Sequence, residues 1–137
     1  MTLELHATPE EVMRAVETLQ ELGRSARIPD RTLFGLALAL EECGSNIVHH
    51  ALHGDARQTF RVRIEHAGSE FLIELRDRGP EFDPTRAAER ATSGDDAPGG
   101  WGLQLVRHYI DEIRYAREAG ENILRLQKRL SPPTNQP

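Results

Sequence analysis

Two polar side chains near the middle of the chain have the spacing of a cooperating pair. Glu42 and Asn46 lie four residues apart in the segment LEECGSNIVHHA, so in a helix they project from the same face. A carboxylate and a carboxamide one turn apart can bind Mg²⁺ and orient water. Because the solvated face of any helix shows polar residues at this spacing, the pair gains meaning only from the residues that accompany it.

A carboxylate at the end of a strand is the first of these companions. Phe71, Ile73 and Leu75 alternate with polar residues, and the same period of two places Asp77 on the apolar face. A carboxylate in that position is removed from water and must be satisfied by a partner.

A glycine-rich segment, Gly99-Gly100-Trp101-Gly102, is the second companion, and it precedes a predicted helix from Leu103 to Tyr109. Glycines let the backbone approach a ligand closely, and the free N–H groups of a helix N-terminus attract phosphate. The segment is therefore a candidate phosphate-binding loop. It matches neither the Walker A pattern nor the dinucleotide fingerprint, and a flexible hinge before a helix remains the alternative.

The hydrophobic periodicity predicts the elements that position these groups. In chain order they are a strand at 3–7, a helix that begins at Thr8-Pro9, a helix capped by Asp30 that continues to Ala51, hairpin strands at 59–65 and 70–76, the helix at 103–109, and strands at 112–117 and 122–130. This order predicts an α+β fold, a two-layer sandwich with helices on one face of a mixed, mostly antiparallel sheet. Residues 1–130 are expected to form one domain and 131–137 a disordered tail.

Composition excludes several classes of protein. The chain has 137 residues, a net charge of −5, and 17 Lys and Arg residues that form no basic cluster, which argues against nucleic-acid binding. Its single cysteine, Cys43, cannot form an internal disulfide and fits a reducing compartment. With neither a signal-peptide pattern nor an apolar run of membrane-spanning length, the sequence predicts a cytoplasmic protein that does not enter the membrane.

Three segments carry a resemblance to a known family: EECGSNIVHHA, DRGPEFDP and GGWGLQLVRHYIDEIRY. In order and spacing they resemble the N, G1 and G2 boxes of the GHKL ATPases, which have the Bergerat ATP-binding fold. The pattern G-G-x-G-L-x-L-V-R followed by D-E-I-x-Y is similar to that of the small anti-sigma-factor serine/threonine kinases within this group. The resemblance covers most of the chain.

The resemblance implies a role for each residue of the candidate site, with ATP and Mg²⁺ as cofactors. Asn46 would hold the Mg²⁺ that bridges the nucleotide phosphates, and Glu42 would be the general base toward the acceptor hydroxyl. Asp77 would accept the exocyclic amine of adenine, and Gly79 would leave room beneath the base. The phosphates would face Gly100 and Gly102 of the glycine-rich segment and Leu103, the first residue of the predicted helix.

The implied function is that of an ATP-dependent kinase which phosphorylates a STAS-type anti-anti-sigma partner, binds a sigma factor or other regulator, and forms a homodimer. One alternative is a nucleotide-gated binding protein that transfers no phosphate, and Glu42 distinguishes the two because only transfer needs a base. Another is a detached sensor histidine-kinase catalytic domain, which is disfavoured because the chain lacks a phosphoacceptor helix and the lid predicted at residues 85–98 is short.

Two features depart from the family pattern or suggest another site. Glu81 replaces the second glycine of D-x-G-x-G, which brings a negative charge toward an anionic ligand. A zinc site is disfavoured because no fourth ligand has a convincing spacing and the glutamate of H-E-x-x-H is absent. The candidate zinc ligands are His49, His50, His53 and Cys43.

Overall fold

The computed structural model describes residues 1–86 and 100–130, with side chains in the second range from Leu103 onward. Within these ranges it contains strands β1 Thr2–His6, β2 Thr59–Ala67, β3 Glu70–Asp77, β4 Glu112–Glu118 and β5 Glu121–Arg129, and helices α1 Pro9–Ser25, α2 Asp30–Asn46 and α3 Gly100–Tyr109. The predicted tail at 131–137 and almost all of the predicted lid lie outside the described residues.

The five strands form one sheet in the order β1-β2-β3-β5-β4, and all four pairings are antiparallel. In β2, β3 and β5, alternate residues point toward the helices and are buried there, as the period of two requires. The core between sheet and helices includes Leu19, Leu36, Phe60, Phe71 and Leu126. The predicted two-layer α+β sandwich is confirmed. Among the described helices, none is long and apolar enough to cross a membrane.

The starts of the first two helices follow the sequence signals to within one residue. The side chain of Thr8 caps α1 by accepting a hydrogen bond from the N–H of Glu11 at 3.2 Å. The prediction that Asp30 caps α2 was wrong, because Asp30 is already helical and Pro29 holds the cap position. The fixed φ of proline suits that extended position, and its carbonyl accepts the first helical hydrogen bond, from Leu33 at 2.9 Å.

The end of α2 differs from the prediction of one helix reaching Ala51. The helix widens after Asn46 into a π-helical turn, Ile47–Ala51, in which the N–H of Leu52 bonds to the carbonyl of Ile47 at 2.8 Å. Such turns are rare and are concentrated at functional sites. The widened turn changes the direction of residues 47–51 relative to the face that carries Glu42 and Asn46.

The sheet face opposite the helices carries a buried ion-pair network around Glu74, which is only 4 % exposed. Its carboxylate accepts hydrogen bonds from Arg76 and Arg125 at 2.8 Å and from Arg63 at 3.2 Å. Burial raises the pKa of Glu74, but the three guanidinium groups together outweigh it and lower the pKa to about 2. The network thus joins β2, β3 and β5 through one carboxylate.

Replacing Glu74 with Gln is expected to lower the free energy of unfolding by about 1–2 kcal/mol at neutral pH, since the partners are partly exposed to screening water. The contribution is fully present above the ordinary pKa of 4.5 and is lost as the pH falls through about 2. Urea denaturation between pH 7 and pH 2 measures both effects. The matched control is Glu65→Gln, which removes an exposed partner of the same Arg63; equal loss in both variants would contradict the network's role.

Candidate functional site

The carboxylate of Asp77 is buried at the end of β3, with 4 % of the residue exposed. Its Oδ1 accepts hydrogen bonds from the N–H of Gly79 and from Nδ2 of Asn122, each at 2.9 Å. Burial raises the pKa of Asp77, and these two bonds oppose the shift. Of the hydrogen bonds that the described residues make, none uses Oδ2. Asp77 therefore has the partners that a buried carboxylate requires and keeps one oxygen for a ligand.

A small cavity of about 20 Å³ brings Asp77 together with the end of α2. Its wall is formed by Cys43, Asn46, Ile47, Leu75, Asp77, Phe82, Pro84, Tyr115 and Leu124. This volume suffices for about one water molecule. The cavity therefore unites two of the residues on which the sequence interpretation rests, Asn46 and Asp77.

The α2 residues differ in their relation to this cavity. Asn46 is 8 % exposed and lines the cavity. Glu42, one helical turn earlier, is half-buried and does not line it. Cys43 lies between them and is fully buried; burial first, and then the nearby charge of Glu42, raises its pKa to about 12. A thiol with that pKa is neutral and unreactive, so Cys43 packs the cavity wall.

Gly79 is required by its contact with the π-helical turn. A Cβ atom at this position would lie 2.5 Å from the carbonyl oxygen of Ala51, closer than packed atoms approach. The glycine thus lets the chain after β3 pass against the turn that follows Asn46. Its predicted role, to leave room beneath a base, stays a prediction.

The segment after Gly79 closes the cavity from outside. Phe82 stacks on the ring of His50, with centroids 5.4 Å apart and an interplanar angle of 16°, and Phe82 and Pro84 both line the cavity. Glu81, which departs from the family pattern, is exposed. Its side chain therefore does not enter the buried part of the site.

The three histidines that follow α2 form no metal centre in the part of the chain that the structure describes. His49 and His53 are exposed, and His50 is engaged with Phe82. Across residues 1–86 and 103–130, no three His, Cys, Asp or Glu side chains are grouped to hold a metal ion. The zinc alternative therefore has no support from these residues.

Helix α3 begins at Gly100 rather than at Leu103, so the glycines at 100 and 102 belong to its first turn. The first four N–H groups of a helix have no partner within it, and residues 100–103 supply them here. The side chain of Leu103 is only 1 % exposed and belongs to the core. Leu103 can thus contribute to ligand binding only through its backbone.

Close packing fixes α3 against α2. A Cβ atom on Gly35 would lie 2.7 Å from the side chain of Tyr109, and the ring of Tyr109 meets Phe34 edge-on with centroids 5.8 Å apart. The absence of a side chain at Gly35 allows this approach. The helix that carries the glycines is thereby held to the helix that carries Asn46.

Asn122 is a site residue that the sequence interpretation missed. It lies directly opposite Asp77 in the β3–β5 pairing and is 4 % exposed. The signal was available, because a period of two places Asn122 on the same apolar face as Leu124 and Leu126. Like Asp77, Asn122 is therefore a polar residue on an apolar strand face that must be satisfied by a partner.

A larger cleft of about 360 Å³ lies at the end of the sheet on its charged face. Glu121 in its wall contacts Arg61 and lies 3.6 Å from Arg76 and 3.9 Å from Arg78, and Asp77 lines this cleft as well as the small cavity. A binding site needs polar groups that are free to meet a ligand. The small cavity unites Asp77 with Asn46, whereas the larger cleft contains only Asp77, so the small cavity is the better candidate despite its size.

The sequence profile of the histidine kinase-like ATPase domain matches residues 5–128, which is nearly the whole chain. The chain belongs to this family. The resemblance carried by the three sequence segments is thereby confirmed, and ATP is the nucleotide that the family description names. Mg²⁺ is not part of that description.

Two protein kinases of nearly the same length are similar to this chain. The serine/threonine-protein kinase BtrW of Bordetella bronchiseptica is 34 % identical over 134 residues, which cover 96 % of this chain and 94 % of BtrW. The serine-protein kinase RsbW of Listeria monocytogenes is 29 % identical, with 90 % and 83 % of the two chains covered.

Solved structures share the fold at lower sequence identity. A chain in the SiaB-SiaC complex from Pseudomonas aeruginosa has a TM-score of 0.74 at 14 % identity, covering 93 % of this chain and 88 % of that one. A Mycobacterium tuberculosis protein with RsbU and RsbW domains has a TM-score of 0.69 at 22 % identity, covering 97 % of this chain and 33 % of that longer one. Both support the two-layer fold described above.

Proposed function

We propose that this chain is an ATP-dependent serine/threonine protein kinase that phosphorylates a STAS-type anti-anti-sigma partner and binds a sigma factor or related regulator. The observation that carries the proposal is the cavity that Asn46 and Asp77 line together, in a chain similar over almost its full length to the kinase BtrW. The kinase interpretation of the sequence and these matches agree.

The adenine base belongs at Asp77. Its Oδ2 is free among the described hydrogen bonds and can accept from an exocyclic amine, while Oδ1 is held by Gly79 and Asn122. The phosphates belong at the first turn of α3, where the N–H groups of Gly100, Gly102 and Leu103 favour negative charge.

Asn46 is the proposed ligand for Mg²⁺. Its carboxamide oxygen suits a hard cation, and Mg²⁺ is commonly held by one or two protein groups together with substrate phosphates rather than by a protein cage. When bound, the ion neutralises charge on the phosphates during transfer.

Glu42 is the proposed general base. It stands one helical turn before Asn46 on the same face and is half-buried, yet it does not line the cavity at Asp77. A base that acts on the acceptor hydroxyl must work at the phosphate end of the nucleotide, away from the adenine. Its place on α2 fixes it relative to Asn46, as proton transfer to a positioned carboxylate requires.

Phe82 and Pro84 bound the adenine end of the proposed site, and Phe82 is held there by its stack on the ring of His50.

The proposal is tested by incubating the chain with MgATP and a STAS-type protein from the same genome, then mapping the partner by mass spectrometry. One phosphate on a serine or threonine is expected, and none when EDTA removes the metal. If ATP binds and the partner stays unmodified, the alternative of a nucleotide-gated binding protein replaces the kinase. The homodimer and the cytoplasmic location stay predictions; sedimentation and cell fractionation address them.

Asn46→Ala is expected to weaken ATP binding about tenfold in the presence of Mg²⁺, the effect of losing about 1.4 kcal/mol. In EDTA the variant and the wild type should bind ATP equally, because the lost interaction runs through the ion. Calorimetric titration with and without Mg²⁺ gives the two ratios. Ser45→Ala, a change at the neighbouring residue, is the control; an equal loss in EDTA would contradict a metal-holding role for Asn46.

A further inference from the structure

Asn122 uses its side chain to join three separate segments around the proposed adenine site. Its Nδ2 donates to Oδ1 of Asp77 and to the carbonyl of Pro80, both at 2.9 Å. Its Oδ1 accepts from the N–H of Phe82 at 3.1 Å and from the hydroxyl of Tyr115. The side chain is thus fully engaged within a buried environment, where each lost bond is costly.

The chemistry of these partners fixes the orientation of the amide. The N–H of Phe82 can only donate, and the carbonyl of Pro80 can only accept. A flipped amide would set its oxygen against two acceptors, at Pro80 and Asp77, and its nitrogen against the Phe82 donor. The NH₂ group of Asn122 therefore faces Asp77.

This orientation determines which oxygen of Asp77 remains for a ligand. Oδ1 receives two donors, from Gly79 and Asn122, so the carboxylate is held in place and Oδ2 is the oxygen with no partner among the described hydrogen bonds. We propose that Asn122 is a positioning residue that presents Oδ2 of Asp77 to the exocyclic amine of the base and so sets the preference for adenine. The inference rests on the proposed function and deepens it.

Tyr115 supports Asn122 from β4. Burial, followed by the nearby charge of Glu81, raises the pKa of Tyr115, so its hydroxyl keeps its proton and donates to Asn122. Removing only this hydroxyl leaves the bond from the Phe82 N–H in place. A Tyr115→Phe change therefore removes one of the two hydrogen bonds to Oδ1 of Asn122 and leaves the asparagine itself in place.

The test compares the affinity for ATP with that for purine riboside triphosphate, which lacks the exocyclic amine. Wild type is expected to bind purine riboside triphosphate about 10- to 100-fold more weakly than ATP, because it loses a hydrogen bond to a charged group. In Asn122→Ala the difference in affinity between the two nucleotides should be less than about threefold, because Asp77 no longer presents Oδ2 to the amine. The affinity difference in Tyr115→Phe should lie between those of wild type and Asn122→Ala. Gln127→Ala changes a residue on the other face of β5 and should show the same difference as wild type.

The outcomes separate the inference from the function on which it rests. If wild type shows no loss without the amine, the adenine role of Asp77 fails, and the inference fails with it. If wild type shows the loss and Asn122→Ala shows the same loss, only the positioning role is overturned. Should Asn122→Ala not fold in urea denaturation, Tyr115→Phe decides: a reduced loss supports the inference, and an unchanged loss overturns it.

Discussion

Asp77→Asn is expected to bind ATP at least about 100-fold more weakly than wild type while folding normally. The new amide keeps an oxygen where the N–H of Gly79 and Nδ2 of Asn122 donate, so the structure around it is retained. Where Oδ2 stood, however, it presents an NH₂ group to the exocyclic amine of adenine. A charge-assisted hydrogen bond worth about 1.5–3 kcal/mol is replaced by two opposed donors.

The same change should reverse the preference between bases. Inosine triphosphate carries an acceptor where ATP carries the amine, so Asp77→Asn is expected to favour it over ATP, opposite to wild type. Calorimetric titration of both nucleotides measures the reversal, and urea denaturation confirms the fold. Asp55→Asn, a change in the loop before β2, is the control. Equal weakening for both nucleotides would indicate a general loss of the site.

Glu42→Gln is expected to slow phosphate transfer by about 10²- to 10⁴-fold, the range of general base catalysis. The amide cannot take the proton of the acceptor hydroxyl, although it keeps the size and helix position of the glutamate. Affinity for ATP should change little, because Glu42 does not line the cavity at Asp77. Single-turnover transfer and nucleotide titration, performed on the same preparations, separate the two effects.

The matched control for this change is Glu41→Gln. Glu41 is the exposed neighbour of Glu42 on the same helix, and its replacement removes an equal charge from the other side of α2. Transfer by this variant should equal that of wild type. A similar loss in both variants would show that total charge, rather than a positioned base, controls the rate.

Local patterns were sufficient for the framework of the fold. The period of two on β3 predicted that Asp77 faces inward, and Thr8 with Pro9 predicted the start of α1. Both signals depend only on neighbouring residues, since the pleat and the helix cap are local geometries. The two layers and the antiparallel sheet followed from the order of these elements.

The remaining features depend on segments far apart in the sequence. Asn122 acquires its role from a partner 45 residues away, and the requirement for Gly79 comes from the carbonyl of Ala51. The π-helical turn after Asn46 also departs from a pattern that fits an uninterrupted helix. Tertiary contacts override local periodicity at these positions, and all three surround the proposed nucleotide site.

The central claim is that the chain binds ATP at Asp77 and Asn46 and transfers its terminal phosphate with Glu42 as base. The most direct measurement is the transfer of labelled phosphate from ATP to the STAS-type partner, at saturating nucleotide, by wild type and by Glu42→Gln. The account predicts stoichiometric labelling of the partner by wild type and almost none by the variant, with equal ATP binding. Labelling at the same rate by both proteins, or no labelling by a wild type that binds ATP, would contradict it.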